Sequence, residues 1–241
     1  MTMTDSPASE LVDPTASDPI PDLLENVIGI SQYISVSYWV GQAIDLIFDV
    51  NPFSWVAEQF AGDWEKVQEA GVAMEKLGEF NAAFSNVITS ELRTVSADWQ
   101  GNAFDRANSY FTELAQTIED QQSTLDAMGK EFKQTAIGMY ETANSIKSFL
   151  ELLLDLLIAI GLELAAAAAS SWTVIGPVLS GAAAVATISK ALGVWDDLLQ
   201  AHTIVWNAVQ GLAGVTAGYL STLGDIDKHA LPEGNYDHPG V

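Results

Sequence analysis

The chain has 241 residues, 49% hydrophobic and only 17% charged, with 32 acidic residues against nine basic ones and a net charge of −23. A field of that sign repels nucleic-acid phosphates and anionic lipid. The absence of cysteine excludes disulfides and thiolate chemistry. Acidity of this degree keeps an apolar chain soluble, and a halophile's surface has the same character.

Residues 1–22, rich in Pro, Ser, Thr and Asp, read as a disordered acidic tail. With six acids, four prolines and no basic stretch in residues 1–26, this terminus does not read as a secretory signal. Residues 23–50 follow as an apolar N-terminal helix. Its uncharged run, 27–44, reaches the eighteen residues at the lower bound of a membrane span. Ser31, Gln32, Ser35, Ser37 and Gln42 dilute that run, and Asp45 and Asp49 close it. The dilution predicts a helix buried against the protein or a partner.

Asn51-Pro52 is a helix start, a cap-capable Asn followed by a proline suited to the first turn. Helix propensity then dominates to about Ser96, with a break expected near Gly62. Phe60, Val67, Met74, Ile88 and Val95 recur in steps of seven, interrupted at Asn81. Such a helix would run roughly 65 Å, and it needs a partner along its length.

The connection Ala97-Asp98-Trp99-Gln100-Gly101 is short enough to make the flanking helices antiparallel neighbours. Gly101 can adopt a left-handed conformation, and Asn102 can cap the next helix with Asp105 favouring its positive end. Phe104, Phe111, Ile118, Leu125, Phe132, Met139 and Ile146 then recur at every seventh position, the pattern of an apolar seam facing another helix. Residues 51–147 therefore read as a helical hairpin with Trp99 closing its tip.

Residues 148–222 form an apolar helical extension. Apolar residues become nearly continuous from Phe149 to Ile158 and end in the run Ala165 to Ala169. Ser170-Ser171-Trp172 suggests a turn, with Pro177 early in the following helix; a third helical region, 174–222, is expected to break near Gly193. Residues 223–241 close the chain as a second disordered acidic tail. With no alternating strand pattern, the fold class is all-α: an elongated antiparallel helical hairpin with a Trp-X-Gly turn, extended by further apolar helices into a bundle.

No catalytic, cofactor-binding or metal-binding residues emerge, and no enzyme activity is expected. The chain has no Gly-x-Ser-x-Gly elbow, phosphate loop, zinc spacing or calcium loop. His202, His229 and His238 are dispersed, and Asp63 with Glu65, or Glu119 with Asp120, read as solubilising pairs.

The apolar heptads around Trp99-Gln100-Gly101 resemble the Trp-X-Gly (WXG) superfamily of helical hairpins exported by type VII secretion systems. The chain is most similar to WXG-like modules at the N-termini of larger actinobacterial toxins. Asn51-Pro52-Phe53 leading into Trp55, then Phe60-Ala61-Gly62-Asp63-Trp64, carry the likeness. Trp99-Gln100-Gly101-Asn102-Ala103 followed by Tyr110-Phe111 extends it, so that it covers about residues 50–222. It implies a non-enzymatic secretion substrate, or a partner or carrier for one, acting through helical protein–protein contact. The partners implied are the type VII machinery and a second Trp-X-Gly protein or toxin. Trp99 and Gly101 would form the recognised tip. The implied localisation is secreted or cell envelope by a signal-peptide-independent route, and cytoplasmic before export. Two departures qualify this. The family's Tyr-x-x-x-Asp/Glu export signal is lacking, since Tyr140 is followed four residues later by Asn144. No toxin domain is expected after the hairpin and its extension.

Two alternatives stand beside that reading. One is a membrane-active, pore-forming effector that uses residues 148–190, with Glu151, Asp155 and Glu163 as a polar stripe and Lys147 and Lys190 as brackets. Each such carboxylate costs about 2.5–3.5 kcal/mol at a bilayer centre. The other is a homo-oligomeric scaffold.

Overall fold

The computed structural model describes residues 6–16, 38–60, 63–170 and 182–224. Among them the protein is all-α, with no strand. The helices are α1 (Tyr38–Ile47), α2 (Pro52–Gln59), α3 (Trp64–Val95), α4 (Asn102–Ser170) and α5 (Ala182–Leu223). The expected apolar helix of 23–50 is described only from Tyr38 onward. The turn at Ser171-Trp172, Pro177 and the tail beyond Gly224 lie outside the described residues, as does Gly62. Within the segment expected to be disordered, Pro7–Glu10 forms a 3-10 turn, where the Ser6 carbonyl accepts from the Ser9 N–H at 2.7 Å.

Two side-chain caps set the early helix boundaries. Asn51 Oδ1 accepts from the N–H groups of Phe53 (3.0 Å) and Ser54 (3.2 Å), and Pro52 fills the first helical position, where no N–H is needed. Asp63 Oδ1 accepts from the Lys66 N–H at 3.1 Å and starts α3. The helix expected from Asn51 is thus divided in two at about the place where a break was expected, with the second part capped by Asp63, a residue read from sequence as solubilising.

The chain divides into two compact units. Among the described residues, one contains 6–16, 68–134 and 211–224, and the other contains 38–67 and 135–210. Helices α3, α4 and α5 contribute to both.

In the second unit the core is apolar throughout. Val40, Ala43 and Ile44 of α1, Phe53 and Val56 of α2, and Phe48 and Phe60 beside them are buried. They share a cluster with Ile146, Leu150, Leu153, Leu157 and Ile160 of α4 and with Ala191, Val194, Leu198 and Val205 of α5. The seven-residue beat continues beyond Ile146 through Leu153, Ile160 and Ala167, all buried. A second buried line runs beside it at Ala136, Ala143, Leu150, Leu157 and Leu164. The continuous apolar run after Lys147 thus has one face inside the unit and another outside it.

The first unit is built differently. The fully buried positions of α3 are Gln68, Gly71, Gly78, Asn81 and Ser85, not the apolar heptad. Val67, Met74 and Ile88 are only half-buried, and Val95 is exposed. The cause is backbone proximity. A β-carbon on Gly71 would sit 2.7 Å from the Gly129 carbonyl oxygen, so only small residues fit where α3 meets α4. Asn81, which interrupts the apolar beat, is buried and donates from Nδ2 to Gln121 Oε1 at 3.0 Å. Ser85 Oγ approaches Glu119 Oε2 at 3.5 Å, and Lys133 Nζ pairs with Glu75 Oε1 at 2.5 Å. Partners on α4 fall in number as those on α3 rise, so these two stretches run in opposite senses.

Candidate interaction surface at the α3–α4 turn

Helix α3 ends by tightening. The Val95 carbonyl accepts from the N–H groups of both Asp98 (3.2 Å) and Trp99 (3.0 Å), while Thr94 receives Ala97 at 3.3 Å. Trp99 is thereby held to the helix end rather than released into a loop. Gly101 then takes φ +98°, the sole positive φ among the described residues, a conformation open to glycine without steric penalty. Its carbonyl accepts from the Asp105 N–H at 3.0 Å, which makes Gly101 rather than Asn102 the residue preceding α4's first turn.

The Trp99 ring folds onto that first turn. It meets Phe104 edge to face, with centroids 5.6 Å apart and planes at 68°, a favoured aromatic geometry. The indole is nevertheless 44% exposed. Beside it lies an open groove of about 320 Å³, lined by Val87, Ile88, Glu91, Leu92 and Val95 from α3, Trp99, and Ala107 and Phe111 from α4. Glu91 is its one charged wall residue. Nothing in this lining can act as a nucleophile or acid–base pair. What it can do is take one or two apolar side chains out of water.

Of the seam residues named from sequence, Ile118, Leu125, Met139 and Ile146 are buried, and Phe104 and Phe132 are half-buried. Phe111 is exposed in the groove wall. Leu125 and Ile118 lie in the first unit, Met139 and Ile146 in the second. The other singled-out polar residues are dispersed. His202 sits among the rings of Trp55 (5.0 Å) and Phe60 (5.4 Å), whereas His229 and His238 lie outside the described residues. Asp120 accepts from Gln116 Nε2 at 2.9 Å, and Glu119 faces Ser85. No group of three or more metal-ligating side chains occurs among the described residues.

Electrostatics are most perturbed away from the groove, on the α3–α4 contact. Partial burial pushes the Asp126 carboxyl above the ordinary carboxylate range, and the neighbouring charges of Glu75 and Glu79 add to this while Lys133 opposes it. The Lys76 ammonium is raised in turn by its hydrogen bond to Glu79, at 2.6 Å.

Sequence reasoning did not find the close glycine contact or the buried amides. A signal was present: Gly71, Gly78 and Ser85 keep a seven-residue step of their own, as do Ala115, Gln122, Gly129 and Ala136.

No protein-family model, curated protein or solved structure matches this chain.

Proposed function

We propose that this protein is a non-enzymatic substrate of type VII secretion, or a partner that carries one, and that it acts through helix–helix contact at the α3–α4 turn. In this reading, α3 and the first part of α4 form an antiparallel hairpin with a Trp-X-Gly turn, to which the remaining helices are added. The observation that carries the reading is the half-exposed indole of Trp99, whose backbone N–H is tied to the Val95 carbonyl while its ring lies against Phe104 and borders an apolar groove. A purely structural tryptophan would be enclosed. The left-handed Gly101 beside it supports the same reading, because that geometry presents the ring at the end of the helix pair.

The missing acidic residue four positions after Tyr140 favours the carrier form, in which a second Trp-X-Gly protein supplies the export signal. The protein is then cytoplasmic before export and ends in the medium or cell envelope. The decisive experiment compares culture supernatants from a producing strain and its type VII motor deletion, with Trp99→Ala tested alongside. Loss of export in both, with the variant still folded and its melting curve shifted by only a few degrees, is the expected result. Equal export with and without the motor would end the proposal.

A further inference from the structure

We propose that residues 156–169, in the C-terminal part of α4, enter the hydrocarbon layer of an electrically neutral phospholipid bilayer. The observation that separates this segment from an ordinary core helix is its incomplete burial. Among the described residues α4 alone is long and apolar enough to cross a membrane, reaching a mean hydropathy of 2.2 in its most apolar 18-residue window. Only 33% of that window is buried, whereas the central helix of a soluble bundle hides most of its apolar surface. The stretch free of Asp155 and its neighbour Glu151, residues 156–169, is about 21 Å long at 1.5 Å per residue, enough to reach past the middle of a hydrocarbon layer of about 30 Å.

From Ile158 onward the exposed side is an apolar helical face. One side of the helix is taken by Leu150, Leu153, Leu157, Ile160 and Leu164, inside the unit. On the opposite side Ile158, Ala159, Leu162, Ala166 and Ala169 are all exposed, and Leu162 is 67% so. From Leu156 to Ala169 the one charged residue is Glu163. Its Oε2 is enclosed and makes no hydrogen bond among the described residues. Much of that oxygen's desolvation has therefore been incurred in the folded chain, and transfer to lipid does not impose it afresh. Glu151 and Asp155 are exposed on this same side just before the segment, so the part that enters the hydrocarbon begins after Asp155 and these two carboxylates stay in the polar interface.

Charge selects the surface. A net charge of −23, with no Lys or Arg between Lys147 and Lys190, opposes binding to anionic lipid and imposes no such opposition at a zwitterionic one. A second copy carries the same charge and is disfavoured for the same reason.

The test uses the whole chain with phosphatidylcholine and phosphatidylglycerol vesicles. Flotation should bring the protein up with phosphatidylcholine, and Leu162→Asp should reduce the floated fraction at least tenfold. Leu162 is mostly exposed, so this variant keeps its core. Because the chain has no cysteine, Ala166→Cys can carry a single environment-sensitive fluorophore. Its emission should shift to the blue on vesicle addition and be quenched by lipids brominated in mid-chain. An unchanged spectrum overturns the proposal, as does equal flotation of Leu162→Asp and wild type. A discrete dimer that Leu162→Asp dissociates in the absence of lipid, with no flotation, also overturns it and assigns the face to a second copy. None of these outcomes bears on motor-dependent export, so the two proposals fail separately.

Discussion

Gly71 and Gly129 oppose each other across the α3–α4 contact, and a β-carbon on Gly129 would lie 2.6 Å from the Gly71 carbonyl oxygen. Backbone cannot retreat as a flexible side chain can, so the pair fixes how near the helices come. That distance in turn decides that Gln68, Asn81 and Ser85, rather than valine and methionine, occupy the buried line of α3.

Replacing a helical glycine by alanine ordinarily stabilises a protein by about 0.5–1 kcal/mol. Gly129→Ala should do the reverse and cost about 1–3 kcal/mol, the range for overpacking. Gly138, in the same helix with open space around it, is the control, and Gly138→Ala should show the ordinary gain. Urea unfolding of the two variants beside wild type reads both signs. A stabilising Gly129→Ala would mean that the helices separate at no cost.

The Gln121 amide joins three helices of the first unit. Its Oε1 accepts from Asn81 of α3, and its Nε2 donates to the Leu223 carbonyl at 3.2 Å, near the end of α5. Gln121→Ala leaves a buried amide of Asn81 and a helix-terminal carbonyl without these partners. The expected loss is about 1–3 kcal/mol for the first of these. Hydrogen exchange should also quicken through the last turn of α5, whereas Asn81→Ala should leave that turn's exchange nearly as in wild type. Equal exchange in the two variants would show that Gln121 does not hold α5.

Asp126 gives the first unit a pH dependence of definite sign. Its folded carboxyl titrates above the unfolded one, so the folded state binds this proton more tightly. The associated stability is complete below the unfolded carboxylate range and is lost as pH rises through the folded titration. Asp126→Asn, which cannot ionise, should therefore raise the urea midpoint at neutral pH. The gain should shrink as the solution is acidified through that titration. The groups facing the carboxyl are Glu75, Glu79 and Lys133. Glu75→Gln should weaken the pH effect, at the expense of the ion pair with Lys133. A constant difference between Asp126→Asn and wild type at all pH values would remove Asp126 as its source.

Several of these features were legible in the sequence, and the reason differs from place to place. The Asn51-Pro52 start and the all-α class follow from local chemistry, which needs no partner to act. The beat from Ile118 to Ile146 was visible because α4 uses large apolar residues for burial, and its continuation through Leu153 and Ile160 was hidden by apolar neighbours on every side. On α3 the apolar beat pointed to the wrong face. Hydropathy rewards Val67 and Met74 and is blind to glycine, whose contribution here is the absence of a side chain. The groove at the turn is the least legible part, since Val87, Leu92 and Phe111 become neighbours only when the two helices are side by side.

If the proposed function holds, Trp99 separates stability from recognition. Its ring contacts Phe104 but remains about half in water, so Trp99→Ala should cost only about 0.5–1.5 kcal/mol from the aromatic pair. The same change removes one wall of the groove, and a helical partner anchored there by a large apolar side chain should bind at least tenfold more weakly. Val95→Asp leaves the Trp99–Phe104 contact in place and puts a charge into the groove lining. Because Val95 is itself exposed, it too should leave the melting temperature nearly unchanged while reducing motor-dependent export as far as Trp99→Ala does. Co-purification from the producing strain, with the melting curve of each variant recorded in parallel, tests this directly. If Val95→Asp is exported normally while Trp99→Ala is not, the indole acts through the turn's geometry and the groove is not the contact surface.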